Sequence, residues 1–229
     1  MRINGNRTNL IYKNRKMAIP QSIERNIALP GVEQANFVKY LTAANLPISN
    51  SKTIAYQSLY HFLISKSSGG TSTTLKFFTG TYDQALTNFP GNNFVLPQSQ
   101  HFLVTAIQAG GWEATNSAGA TPITKVRKGF TSISSQSVAD KTFNTLFNAV
   151  YTFTVNGIVM QKDVPLTVFD NTLGTQQRGR FELSQPVLIP SQSDFSLTVS
   201  SKGNGNLAYD ASTEVATGLW FELIGIGLI

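Results

Sequence analysis

The sequence predicts an all-β chain in which two similar β-sandwich units stand in tandem, preceded by a basic arm and a short helix. Three observations predict it. Short apolar stretches recur between Gly, Asn and Pro, the texture of a sandwich or barrel and not of alternating strands and long helices. A segment around Pro97 returns around Pro190. The 229 residues leave room for two units of one sandwich each, at roughly 90–110 residues apiece.

The elements follow in order. Residues 1–16 carry Arg2, Arg7, Lys13, Arg15 and Lys16 and no acid, a charge of +5. The whole chain is +6, so the remaining 213 residues carry only +1. This is a basic arm on a nearly neutral body, suited to nucleic acid or an anionic lipid surface. Residues 18–30 are irregular and closed by Pro20 and Pro30. Val32 to Ala44 places Phe37, Tyr40, Leu41 and Ala44 at helical spacing, and Leu46-Pro47 ends the run.

Strand texture begins near Lys52. Ile54, Tyr56, Ser58, Tyr60, Phe62 and Ile64 alternate with smaller or polar residues, as one side of a half-buried strand does. Residues 67–73 are a loop and Leu75-Lys76-Phe77-Phe78 a strand. Tyr151 to Val155 alternates cleanly into Asn156-Gly157, a hairpin signal because a type I′ turn needs positive φ at both central residues. Ile158-Val159-Met160 returns from that turn. The apolar end, Leu219 to Ile229, is too short to span a bilayer and reads as a buried last strand.

The internal repeat sets the domain expectation. Val95-Leu96-Pro97, four polar residues and Phe102 correspond to Leu188-Ile189-Pro190, four polar residues and Phe195, at an offset of 93. The same offset pairs Thr105 with Thr198, Tyr60 with Phe153, Phe62 with Val155, Thr74 with Thr167 and Leu75 with Val168. Pro ends one strand, a polar loop turns, and Phe starts the next strand toward the core. One sandwich per repeat places a boundary in the Ser-rich stretch at residues 134–142.

Composition narrows the function. Charged residues make up 13% of the chain, about half the usual ~25%. Such a surface suits a body that packs against copies of itself, since interface cores are depleted in charge. With no cysteine, disulfides, thiolate metal sites and Cys nucleophiles are excluded. The polar start has no apolar core of a secretory signal, so none is expected.

Catalytic constellations do not emerge. His61 sits inside a strand pattern and His101 in a polar loop, where surface or structural roles are the usual ones. Gly69-Gly70 lacks the lysine of a phosphate loop. Asp163, Asp170 and Asp194 stand where turn formers stand. Trp112 after Gly110-Gly111 could stack on a sugar if exposed; the favoured reading is a lid over one end of the sandwich or a subunit contact. Trp220 and Phe221 read as core, and Arg178 and Arg180 as solvated. No cofactor or metal site is expected.

Residues 87–107, running from Thr87-Asn88-Phe89-Pro90 through Leu96-Pro97 and Phe102 to Ile107, resemble a segment of the major capsid proteins of tailless, membrane-containing icosahedral bacteriophages. There a similar pattern introduces a core strand of the first jelly roll. Phe181 to Pro190 and Leu219 to Gly225 are similar to the second jelly roll of those proteins, most nearly of the finnlakevirus and corticovirus groups. The likeness covers roughly residues 50–229, and the chain is short for that family, so its loops must be trimmed.

The resemblance implies a double jelly roll: an arm and short helix over residues 1–48, a first jelly roll over 49–138 and a second over 139–229. It implies a structural protein of the virion and not an enzyme. Three copies would form a homotrimer of six barrels, a pseudo-hexameric capsomer. Its partners would be neighbouring capsomers and minor capsid or penton proteins. Arg2, Arg7, Lys13, Arg15 and Lys16 would face inward to internal viral membrane lipids, at about 1 kcal/mol per residue, or to the packaged genome through counterion release. Two other readings remain. One is a phage spike or fibre domain that binds a host glycan, which should show clustered exposed aromatics and acids. The other is a β-sandwich glycoside hydrolase, which needs two carboxylates across a cleft.

Overall fold

The structure, a computed structural model, describes residues 31–47, 53–64, 74–80, 82–90, 93–114, 123–129, 149–169, 179–201 and 216–228. The basic arm, residues 18–30, the loop at 67–73, the expected boundary at 134–142, Asp170 and Arg178 lie outside the described residues.

Helix α1 (Gly31–Ala43) forms where the spacing predicts it. Phe37 and Leu41 are fully buried, while Ala44 faces solvent. The end is a Schellman cap. The Leu46 N–H donates to the Leu41 carbonyl (2.9 Å) and the Asn45 N–H to the Thr42 carbonyl (3.1 Å). Asn45 takes the left-handed position with φ 53°, which Asn tolerates better than most residues. Leu46 then packs beside Leu41.

The described strands are β1 (Ile54–Ile64), β2 (Thr74–Phe77), β3 (Phe102–Ala114), β4 (Ile123–Lys128), β5 (Ala149–Val155), β6 (Ile158–Pro165), β7 (Arg180–Ile189), β8 (Phe195–Ser201) and β9 (Ala216–Leu228). A 3-10 turn, Leu166–Phe169, follows β6. One sheet runs β1-β9-β3, with β7 and β4 sharing the far side of β3. β7 pairs with Phe102 to Gln108, and β4 takes over from Gly110 to Ala114. The second sheet runs β2-β8-β5-β6. All the pairings are antiparallel. Asn156 and Gly157 have φ 49° and 74°, the two positive values that a type I′ turn between β5 and β6 requires.

The all-β expectation holds. The division into two units at residues 138 and 139 does not appear among the described strands. β1 pairs with β9 over the full run from Ile54↔Leu228 to Ile64↔Gly218, and β2 pairs with β8. Strands from both halves therefore pair with each other in both sheets. They enclose one core, in which Leu59 and Phe77 from the first half meet Leu197 and Phe221 from the second. The reason is geometric. Among the described residues the first half places β1, β3 and β4 in one sheet and only β2, four residues long, in the other. That is too little to cover an apolar face alone.

The repeat itself is real, at the level of a loop. Ser99 and Gln192, 93 residues apart, have φ 64° and 58°. Leu96 and Ile189 before these turns are buried, as are Phe102 and Phe195 after them. The two loops also touch, since the Gln192 N–H donates to the Leu96 carbonyl (2.9 Å). They launch β3 and β8 in opposite sheets of one sandwich. The correspondence fades elsewhere: Leu75 lies in β2 and Val168 in the 3-10 turn.

β1 also turns the other way round from the simplest reading of its alternation. Leu59 and His61 face the core, while Tyr56 points to solvent at 60% exposure. Ile54 and Phe62 belong to separate clusters on the outer side.

The free edge of β1 is plugged by residues 86–88. The Tyr60 N–H donates to Asn88 Oδ1 (2.8 Å), and Asn88 Nδ2 donates to the Ser58 carbonyl (2.8 Å). Thr87 Oγ1 donates to the Tyr60 carbonyl (2.6 Å), and the Phe62 N–H to the Leu86 carbonyl (2.8 Å). An unpaired strand edge is a template for another chain, and here a side-chain amide imitates the missing strand. Asn88→Ala is expected to cost about 1 kcal/mol in urea unfolding and to increase light scattering at high concentration. Unchanged values of both would show that the plug has no such role.

Candidate functional site

The outer side of the first sheet is covered at its two ends. At one end Phe37 and Leu41 of α1 pack on Ile54, Leu103, Ile226 and Leu228. At the other, Phe62 stacks on Trp220 (centroids 5.9 Å apart) and meets Trp112 edge-on (6.1 Å). Trp112 Nε1 donates to the Leu63 and Leu219 carbonyls, both at 3.1 Å. Gly218 makes room for this ring: a Cβ there would collide with Trp112 Nε1 and the Leu63 carbonyl oxygen. Trp112 is buried, so it offers no ring for stacking on a sugar. The hydrophobic ring and its one N–H are both already satisfied.

Between these covered ends lies a groove of about 660 Å³. Glu33 and Lys39 from α1, Tyr56 from β1, Thr105 from β3, and Arg180 and Glu182 from β7 rim it over a floor of Leu103 and Ile226. The Tyr56 hydroxyl donates to the Glu33 carboxylate, tying the helix to the strand. That hydrogen bond, followed by burial and the carboxylate charge, holds the phenol above its ordinary range. It is a donor and not a phenolate nucleophile. Arg180 Nε lies 2.6 Å from Glu182 Oε1 at the surface, where such pairs contribute little stability. Two acids and two bases around one rim cancel, so the groove lacks the single-sign field that gathers charged ligands.

The histidines are built into the scaffold. His61 Nδ1 accepts the Phe78 N–H (2.8 Å), and its ring lies among Phe77, Phe78 and Phe94 at 6.0, 5.7 and 4.6 Å. Phe78 and Phe94 both have left-handed backbones, φ 58° and 54°, a strained state for a bulky residue. The hydrogen bond to His61 fixes one of them. Burial depresses the His61 pKa to about 4. His101 is buried rather than displayed by its polar loop. Its Nδ1 accepts the Ser191 N–H (3.0 Å), and its carbonyl accepts the Leu228 N–H (3.0 Å). Burial lowers its pKa too, partly offset by the Pro47 carbonyl.

Of the residues singled out in the sequence, Arg2, Arg7, Lys13, Arg15 and Lys16 lie outside the described residues, while Arg180 reaches the groove rim. Asp163 is exposed with φ 51°. Asp194 lends its carbonyl to the Asn156 N–H (2.7 Å). Both serve turns. Among the described residues no group of three His, Asp or Glu side chains stands close enough to hold a metal ion. Nothing in the sequence pattern signals the Tyr56–Glu33 tie or the Asn88 plug, because each joins residues more than twenty apart. It did carry a sign at Ile158-Val159-Met160, three apolar residues in a row where alternation should resume. No protein-family model matches the chain, and no curated protein matches it in sequence.

Two predictions follow from this geometry. In the unfolded chain His61 titrates near its ordinary 6.5 and in the folded protein near 4. As pH falls, the unfolded state takes up the proton first. The stability due to neutral His61 is therefore complete above about pH 6.5 and is lost down to about pH 4, by roughly 3 kcal/mol in all. Urea unfolding across that range is expected to show the loss, with a shallower slope for His61→Phe. Phe37→Ala empties a fully buried site and should weaken helix docking by about 3–5 kcal/mol. Limited proteolysis is then expected to cut α1 while the strands stay protected.

Proposed function

We propose that the chain is a structural protein of a viral shell, a capsid subunit of a tailless icosahedral bacteriophage that acts by associating with copies of itself. The observation that carries this reading is the strand order. β1-β9-β3-β7 facing β2-β8-β5-β6 is the order of a jelly roll, a double sheet of eight strands much used in viral shells. We read the fold as one jelly roll per chain, with β4 as an addition beside β3. Because fold alone does not fix function, the charge distribution matters as the second support. A +5 arm precedes a body of only +1, and α1, which follows the arm, is locked to the sheet by Phe37 and Leu41.

One sandwich per chain changes the assembly arithmetic expected from the sequence. A homotrimer supplies three barrels, and a six-barrel pseudo-hexagonal tile takes six copies. The other parts of the proposal stand as before. The subunit belongs in the virion, beside neighbouring capsomers and minor capsid or penton proteins, and its arm meets internal membrane lipids or the packaged genome. The glycan-binding alternative has lost its one aromatic hint with the burial of Trp112.

The test is the solution mass by light scattering, with electron microscopy of the same sample, repeated after removal of residues 1–16 in the presence of anionic liposomes and of duplex DNA. Closed oligomers or shells are expected. If the arm's five cations meet phosphates, the log–log salt dependence of DNA binding should have a slope of about −4 that vanishes with the arm. Liposome binding that disappears with the arm, without a DNA slope of that size, would assign the arm to lipid. A monomer indifferent to both partners would overturn the proposal.

A further inference from the structure

The geometry points to His101 as a proton-sensitive joint: while neutral it holds the twin loops and the exit of α1 together, and a second proton on its ring opens that corner of the sandwich. The device needs no second copy and no partner, and it operates whether or not the chain builds a shell.

His101 stands just before β3, and three other stretches of chain meet it there. The residue is 1% exposed. Its ring Nδ1 accepts the Ser191 N–H (3.0 Å), from the loop that launches β8. Its backbone carbonyl accepts the Leu228 N–H (3.0 Å), at the end of β9. The carbonyl of Pro47, two residues past the Asn45 end of α1, also faces the ring. One residue beyond Ser191, the Gln192 N–H donates to the Leu96 carbonyl (2.9 Å). These two bonds tie the twin loops to each other. Both loops turn on left-handed residues, Ser99 and Gln192, so each spends conformational energy that the tie must offset.

The partners fix the tautomer. A ring nitrogen that accepts an N–H carries no hydrogen, so the one hydrogen of the neutral ring is on Nε2. Nε2 is wholly buried and makes no hydrogen bond of good geometry, which leaves the Pro47 carbonyl as the acceptor on that side. A second proton has only Nδ1 to go to. There it would stand against the Ser191 N–H, donor to donor. The bond between the loops is then lost, and two buried donors are left without an acceptor.

Nothing nearby compensates a charged ring. Residues 44–47, 96–100, 189–193 and 225–228, which converge at this corner, contain no Asp, Glu, Lys or Arg. On α1, Glu33 and Lys39 rim the groove instead. The next acid along the β8 loop, Asp194, is exposed, and its carbonyl serves the Asn156 turn. The other histidine, His61, lies among Phe77, Phe78 and Phe94. Burial therefore holds the ring below its ordinary 6.5, and only the Pro47 carbonyl works against it.

The sign follows. An opened corner gives the ring water and returns it to its ordinary range, so as pH falls the open form takes up the proton first. The closed joint is fully favoured above about pH 6.5 and progressively less below it. Pro47 is exposed while the ring beneath it is not, so the way to water passes the exit of α1. Leu46, next to Pro47, packs in the cluster that docks α1. Opening here loosens the helix that the +5 arm precedes.

The test compares the full chain with His101→Asn by hydrogen exchange and mass spectrometry, corrected for the intrinsic effect of pH on exchange. Asn carries an oxygen at the δ position, accepts an N–H there and does not titrate. His61 titrates in both proteins, so its contribution cancels. At about pH 7.5 the two are expected to protect the Leu46, Gln192 and Leu228 amides alike; at about pH 5 the full chain should protect them on the order of tenfold less. Because the opening is local, these amides should stay less protected than the β5–β8 ladder. A second measurement needs no folded Asn variant. The chain has two histidines, and carbon-13 spectra of their labelled rings, assigned with His61→Phe, report tautomer and titration. His101 is expected as the Nε2–H tautomer at neutral pH, with protection lost along its own titration. The same loss in His101→Asn, a loss that does not follow the His101 titration, an Nδ1–H tautomer, or exchange at these amides only through global unfolding would overturn the joint.

Discussion

Strand β9 is the last in the sequence and the central one in its sheet, and the rest of the molecule depends on that placement. It pairs with β1 on one side and β3 on the other. From its middle Phe221 meets Phe77 at 4.7 Å, Phe169 at 5.8 Å and Tyr151 at 6.3 Å, so a single ring joins both sheets. Without β9, β1 would lose its only strand partner among the described residues. The sandwich also cannot close until β9 is in place. Folding must bring Ile54 to Leu228 before the longest ladder can form, and such non-local pairing makes for slow folding.

A central β9 has a second consequence, on the outer side of the sheet. Its residues there run from Ile226 and Leu228 at one end to Trp220 at the other. Both ends need covering, because large apolar side chains on a solvent face cost the hydrophobic energy that burial recovers. The chain solves the two ends differently. A helix from before β1 covers the aliphatic end, and residues around Leu86 cover the aromatic end. The same crossing that brings Leu86 over Phe62 brings Thr87 and Asn88 to the edge of β1. Core coverage and edge protection thus come from one segment.

How much of this was legible follows from the range of each interaction. The α1 spacing, its end before Leu46-Pro47, the Asn156-Gly157 turn and the twin loops at Ser99 and Gln192 are set within a few residues, and the sequence displays them. The face of β1 misleads because its outer aromatics, Tyr60 and Phe62, look more like core residues than Leu59, His61 and Leu63 do. Period-2 alternation identifies a strand but not which side is inside when both sides are partly covered. The two-unit division is not seen among the described strands for a related reason. A repeated loop reports a repeated local conformation, and partner choice between strands lies outside any window of that length. Nor could the histidine environments be seen: His61 gains its partner from Phe78 and His101 from Ser191, across 17 and 90 residues.

The two sheets end on opposite principles, and this bears on what kind of protein the fold serves. A protein selected only to stay monomeric would be expected to blunt every edge with charge, proline or a covering segment. Here β1 is closed with hydrogen bonds at 2.6–2.8 Å, and β6 is interrupted by register shifts from Met160 onward, by the left-handed backbone at Asp163 and by Pro165. The apolar half begins directly after a rigid two-residue turn, on a strand whose neighbour β5 is almost wholly buried. Rigid backing of this kind preserves the shape of an exposed strand and limits the entropy lost when it is covered. The two sheet edges thus differ in chemistry: one is closed by hydrogen bonds, and the other is apolar at its turn end and backed by a buried strand.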